Sequence, residues 1–103
     1  VTGATFTSGV LEHTGPIAVE FMSYGCVHYR MIEPVMQQAA KALGAKEQIM
    51  RVNVAVDADL ANRYSVEGTP TLVMFLNGQE VGRAAGPQPA LASVMTAMTQ
   101  PFA

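Results

Sequence analysis

The stretch Ile17-Ala18-Val19-Glu20-Phe21-Met22-Ser23-Tyr24-Gly25-Cys26-Val27-His28-Tyr29-Arg30-Met31-Ile32-Glu33-Pro34 decides how this chain is read. Its first seven residues form a near-continuous apolar run. Such a run is the signature of a strand covered on both faces. From Cys26 onward the apolar spacing becomes helical. Met31, Val35, Ala39 and Ala42 mark one stripe, and Ile32, Met36, Ala40 and Leu43 mark its neighbour. The spacing predicts a helix over 26–43, ended by Gly44 as its C′ residue. Pro34 removes one backbone donor inside that helix and is expected to kink it. Cys26 therefore falls where a strand gives way to a helix. A Cys-x-x-Cys motif at such a junction reads as a dithiol redox site. Here Tyr29 holds the fourth position, and Cys26 is the only cysteine in the chain.

Working outward, residues 4–7 read as a weak strand. Residues 8–13 read as a short helix with Ser8 as its N-cap, and Gly15-Pro16 as a turn. Gln48 to Val54 alternates like a strand, and Asp59 to Tyr64 reads as a short helix with acidic residues at its start. Thr71 to Leu76 is an apolar strand. Asn77-Gly78 is the strongest hairpin signal in the chain, and Gln79 to Ala85 is the return strand. Pro89 suits the first turn of a last helix, whose apolar face is Leu91, Val94, Met95 and Met98. A β-α-β unit requires a right-handed parallel crossover, whereas the hairpin requires an antiparallel pair. The expected fold is α/β: a mixed central sheet of four to five strands flanked by helices on both faces.

Composition narrows the function. At 103 residues the chain is expected to be a single domain over 1–103. Half of it is hydrophobic and 14% is charged, which is the composition of a globular protein. A formal net charge of -2 and the lack of a Lys/Arg cluster argue against nucleic acid. No apolar run approaches the ~18 residues of a membrane span. One cysteine excludes an internal disulfide and is compatible with a reducing compartment, so a cytoplasmic location is favoured. Residues 1–15 lack the basic and apolar regions of a signal peptide. Because Val1 is not a Met, a periplasmic location stays open if a targeting segment was removed.

The ordered set of motifs resembles the thioredoxin family over nearly the whole chain. Residues 17–21 resemble the strand before that family's redox site. Glu20 lies six residues before Cys26, where the family carries a buried acid. Met31-Ile32-Glu33-Pro34 resembles the active-site helix with its kinking proline. Arg51 falls where many members have a Lys near that acid. Gly68-Thr69-Pro70-Thr71 resembles the cis-proline loop, and Gly86 falls at a family glycine. There are departures. Met22 and Gly25 stand where tryptophans are usual, Val27-His28 replaces the common Gly-Pro, and Tyr29 replaces the resolving cysteine. A His at the position of His28 is similar to the oxidising thiol-disulfide enzymes of the bacterial periplasm.

The resemblance implies a thioredoxin-like fold, with Cys26 as nucleophile at a helix N-terminus. Helix N-termini and nearby cations lower a cysteine pKa, and protonated His28 would add positive charge. Gly25, Val27, Thr69 and Pro70 would contact the substrate, and a cis Thr69–Pro70 bond would offer the Thr69 backbone to an extended peptide. Glu20 and Arg51 would support the site. Tyr29 cannot resolve a mixed disulfide, so an external thiol must do so. Two readings stay open. One is monothiol exchange with protein or peptide thiols and disulfides, and with glutathione. The other is a redox-inactive binding or chaperone-like module that keeps the groove. No cofactor and no metal are expected. The seven methionines fall mostly on apolar stripes, which reads as core packing and not as a copper site.

Overall fold

Pro16–Met22 forms β1, the strand around which the sheet is built. In this computed structural model, which describes residues 6–23, 27–44, 47–88 and 90–102 (backbone only for Thr7, Ser8 and Tyr29), β1 has a partner on each side. It runs parallel to β2 (Gln48–Asn53), in register from Ile17 against Gln48 to Met22 against Asn53. It runs antiparallel to β3 (Thr71–Leu76), which continues through the hairpin into antiparallel β4 (Gln79–Ala85). The order across the sheet is β2-β1-β3-β4. This is the mixed α/β sheet expected from the sequence, with four strands among the described residues.

Side chains on a strand alternate between faces, and the core divides accordingly. Ile17, Val19 and Phe21 of β1 join Val52, Val73 and Phe75 on one face. That face is covered by a short π-helical turn, Thr7–Leu11, and by α2 (Ala58–Arg63). Ala18, Leu72 and Met74 point the other way, under α1 (Val27–Leu43) and α3 (Leu91–Thr99). A 3₁₀ turn, Gln100–Phe102, follows α3. Each large apolar side chain buried here is worth about 1.5–3 kcal/mol.

Several local expectations are corrected. Phe6 and Thr7 are helical, not extended, while Ala4 and Thr5 lie outside the described residues. Phe6 and Val10 are one turn apart and fully buried, which favours a helical face over strand propensity. The Phe6 ring meets Tyr64 at 5.5 Å and Phe75 at 5.9 Å between centroids. Ser8 lies inside the turn, not before it. The buried face of α1 is Ile32, Met36, Ala39 and Leu43, which draws on both expected stripes. Met31, Ala40 and Ala42 are exposed. The helix continues through Pro34, and Gly44 follows it at φ +57°. In α3, Val94 and Met98 are buried, but Leu91 is 40% exposed on the first turn. Ala90 is the N-cap; Pro89 lies outside the described residues. Of the methionines, Met22, Met36, Met74 and Met98 are buried, and Met31 is the exposed one.

The hairpin turn is also a docking point. Asn77 and Gly78 both have positive φ, at +52° and +83°, as a two-residue type I′ turn requires. Gly15 donates its N–H to Asn77 Oδ1 at 2.9 Å. A Cβ on Gly78 would run into the Leu11 carbonyl. Gly78→Ala is therefore expected to cost about 2–3 kcal/mol of stability, from backbone strain and the clash together. Urea denaturation checks this.

One buried charge stands at the entrance to β2. Glu47 is 6% exposed, and its Oε2 has no hydrogen-bond partner. Burial pushes its carboxyl up from 4.5 to about 7. The folded chain thus binds this proton more tightly than the unfolded chain does. The resulting stability is complete below about pH 4.5 and is lost as pH rises through about 7. Glu47→Gln is expected to stabilise the protein by about 1–2 kcal/mol at pH 8 and to change little at pH 4. Denaturation midpoints at the two pH values check the sign.

Candidate functional site

The first turns of α1 and the loop before β3 face each other across a groove. His28, Met31 and Ile32 line one wall; Gly68, Thr69, Pro70 and Thr71 line the other. Ala85, Gly86 and Pro87 close the end, around a volume of ≈ 290 Å³. The helical period explains the first wall. His28, Met31 and Ile32 fall at i, i+3 and i+4, so they share one face of α1. Ile32 turns inward to the core at 1% exposure, while Met31 stands 55% exposed at the rim. Val27 is four residues before Met31 and is also exposed, but it does not line the groove.

The second wall is held by hydrogen bonds. The Thr69–Pro70 peptide is cis. The Thr71 hydroxyl donates to the Gly68 carbonyl at 2.6 Å, closing the loop on itself. The Gly86 N–H donates to the Pro70 carbonyl at 2.9 Å, tying the loop to the end of β4. Gly86 has φ +56°, a conformation that suits glycine. Pro70 is buried and Thr69 half-buried. His28 is the one ionisable side chain among these lining residues.

A second cluster lies under α1, on the same face of the sheet. Glu20 and Arg51 are Cα partners on the parallel strands β1 and β2. Arg51 Nε donates to Glu20 Oε1 at 3.2 Å, and Arg51 Nη2 donates to Glu33 Oε1. Glu20 is fully buried, and burial pushes its carboxyl up. The Arg51 charge and hydrogen bond pull it down, and the nearby Glu33 charge adds to the rise.

The structure thus brings His28, Thr69 and Pro70 to one groove, and Glu20 and the 40%-exposed Arg51 to a separate, part-buried cluster. Gly25 and Cys26 lie outside the described residues. Tyr29 lies in the first turns of α1, and of it only the backbone is described. Glu33 received no site role from the sequence. The signal that finds it is its place between buried Ile32 and buried Met36, at i+1 and i−3, which sets it at the edge of the buried face. No group of three or more His, Cys, Asp and Glu able to hold a metal occurs among the described residues. No helix among them is long and apolar enough to cross a membrane.

Comparison with known proteins points the same way as this architecture. The family model for thioredoxin matches residues 1–97. Thioredoxin 1 of Synechococcus elongatus is 34% identical over 89 residues, 86% of this chain and 83% of that protein. Thioredoxin of Rhodospirillum rubrum is 33% identical over 89 residues, 86% of each. Protein disulfide-isomerase A3 of Gallus gallus is 33% identical over 90 residues, which is 87% of this chain but 18% of that protein. Similarity of this breadth is consistent with thiol–disulfide redox chemistry on protein thiols. A β2-β1-β3-β4 sheet with helices on both faces, matched by that model along nearly its full length, makes the chain a member of the thioredoxin family.

Proposed function

We propose that the chain, as one domain over residues 1–103, exchanges thiols and disulfides through Cys26 as its sole nucleophile. The observation that carries this reading is the groove. A loop with a cis Thr69–Pro70 bond faces the first turns of α1, and α1 begins at Val27, directly after Cys26 in sequence. Thr69 offers backbone to an extended substrate, and Pro70 and Met31 supply apolar contact. Gly25 and Val27 flank the sulfur in sequence, and His28 is the nearest titratable side chain on α1.

The reaction is an exchange with no net change of oxidation state. The Cys26 thiolate attacks one sulfur of a substrate disulfide. The old S–S bond breaks, and its electron pair leaves with the second sulfur, which takes up a proton. A dithiol protein would then expel its product with its own second thiol. Tyr29 occupies that position and has no sulfur. An external thiolate, such as glutathione or the substrate's own second cysteine, attacks the mixed disulfide and regenerates the Cys26 thiolate.

A redox-inactive binding module is the second reading. It is favoured by the apolar character of Met31, Ile32 and Pro70, because that surface holds a peptide without using a thiol. Mass measurement separates the two. The expected result with oxidised glutathione at neutral pH is rapid, stoichiometric addition of one glutathionyl group, absent in Cys26→Ala. No adduct, with partner binding intact in Cys26→Ala, would establish the module instead.

The missing second thiol gives another test. Tyr29→Cys is expected to create disulfide reductase activity where the parent has none, read as turbidity from a reduced, precipitating reporter protein. No gain would mean that Met22, Gly25 and Val27 also set the chemistry.

A further inference from the structure

A second hollow lies at the end of α1 away from the groove, and the thiol reaction does not use it. Ala40 and Gly44, one helical turn apart, form its helix side. Glu47, Gln48, Ile49 and Met50, at the entrance and start of β2, form the other side, around a volume of ≈ 270 Å³. His28, on the groove wall, lies sixteen residues before Gly44. At 1.5 Å per helical residue that separates the two sites by roughly 24 Å along α1.

Glu47 is what makes this hollow unusual. The residue is 6% exposed, and its Oε2 is sealed from solvent without a hydrogen-bond partner. None of the ion pairs among the described residues includes it. Lys41, the basic residue in the last turn of α1, is exposed. An unpaired polar group is costly to bury, and a charge more so. The upward push on the Glu47 carboxyl, to about 7, reflects the same cost. A carboxyl in such a place weakens the folded state and supports no other part of it. Departures of this kind from the rules of packing belong to functional sites.

The surroundings select the chemistry of the ligand. The C-terminal end of a helix carries partial negative charge, so it adds to the Glu47 carboxylate in favouring a cation. A metal ion fits poorly. Hard divalent cations take about six or more oxygens, and no group of three or more His, Cys, Asp and Glu occurs among the described residues. A guanidinium fits poorly too, because its planar fork pairs with both oxygens of a carboxylate, and Oε2 is sealed here. An ammonium is a compact charge that needs no such fork. Ala40, Ile49 and Met50 offer apolar wall to the methylenes that would carry it. The volume falls below the ~300–1,000 Å³ of pockets for drug-sized molecules, which sets a short chain.

We propose that the hollow between the end of α1 and the start of β2 binds a short alkylammonium group, with Glu47 as its counter-ion and Ala40, Ile49 and Met50 as walls for its methylenes. A free aliphatic amine and a lysine side chain share this chemistry. The site is independent of the groove, so it stands whether or not Cys26 reacts.

The test is an amide NMR titration of the full chain at about pH 8, where Glu47 is largely ionised. The ligands are n-butylammonium and Nα-acetyl-lysine N-methylamide, with neutral n-butanol as the control. Saturable shifts are expected at Gly44, Gln48 and Ile49 with n-butylammonium. Glu47→Gln is expected to weaken binding about tenfold or more, the scale of one charge-assisted hydrogen bond. Ala40→Leu, which narrows the hollow from an exposed helix position, is expected to weaken it as well. Binding of both ammonium ligands would assign the site to lysine side chains; binding of n-butylammonium alone would assign it to free amines. No saturable shift with either, equal shifts with n-butanol, or binding unchanged in Glu47→Gln or in Ala40→Leu would overturn the site.

Discussion

The rest of the structure depends on the burial of β1. It is hydrogen-bonded on both edges, and every residue from Ile17 to Met22 is buried. Such a strand has little freedom to slip. A shift of one residue would send Ile17, Val19 and Phe21 to the face that belongs to Ala18 and Glu20. That would place three large side chains under α1 and leave Phe6, Val10 and Phe75 without their core. Register on β1 therefore sets two things together. It places Glu20 beside Arg51, and it fixes which face α1 covers.

Two polar devices are built on this apolar frame, and neither contributes much to overall stability. A buried ion cluster recovers by Coulomb attraction little more than it loses in desolvation. The Glu20–Arg51–Glu33 cluster is better understood as positioning. It joins β1, β2 and α1 at one point, just before Pro34, where the helix lacks one backbone donor. The second device is the loop before β3, the groove wall opposite the first turns of α1. Both of its bonds end on backbone carbonyls: the Thr71 hydroxyl donates to Gly68, which makes a hydroxyl at position 71 part of the loop's shape, and the Gly86 N–H donates to Pro70. The groove is apolar, and its character owes more to Met31, Ile32 and Pro70 than to any charge.

Most of the sheet was legible in the sequence because its signals are local. The apolar run of β1, the Asn77-Gly78 turn and the alternation of β2 each reflect a few neighbouring residues. β3 and β4 run over the residues expected of them, and β2 stops at Asn53, whose carbonyl accepts from Val56 and Asp57 and ends the pairing. The errors occurred where long-range contact outweighed local preference. Residues 6 and 7 have a local strand preference that the packing of Phe6 on Tyr64 and Phe75 outweighs. The two apolar stripes on α1 could not reveal which of their members would face the sheet. Glu33 was missed for the same reason, since its partner is eighteen residues away on another element. The groove was legible in part: motif position marks Thr69, Pro70 and His28 as site residues, whereas it marks Met31, Ile32 and Gly86 only as framework, and folding is what brings them to the groove.

The proposed exchange reaction requires Cys26, which directly precedes α1 in sequence, to be an activated nucleophile whose mixed disulfide a thiol from outside the chain resolves. The most direct measurement is the rate of alkylation of Cys26 against pH. Backbone N–H groups at a helix N-terminus stabilise a thiolate, so the midpoint is expected well below the ~8.5 of a free cysteine. A midpoint at or above that value would contradict the claim and leave the groove as a binding surface alone.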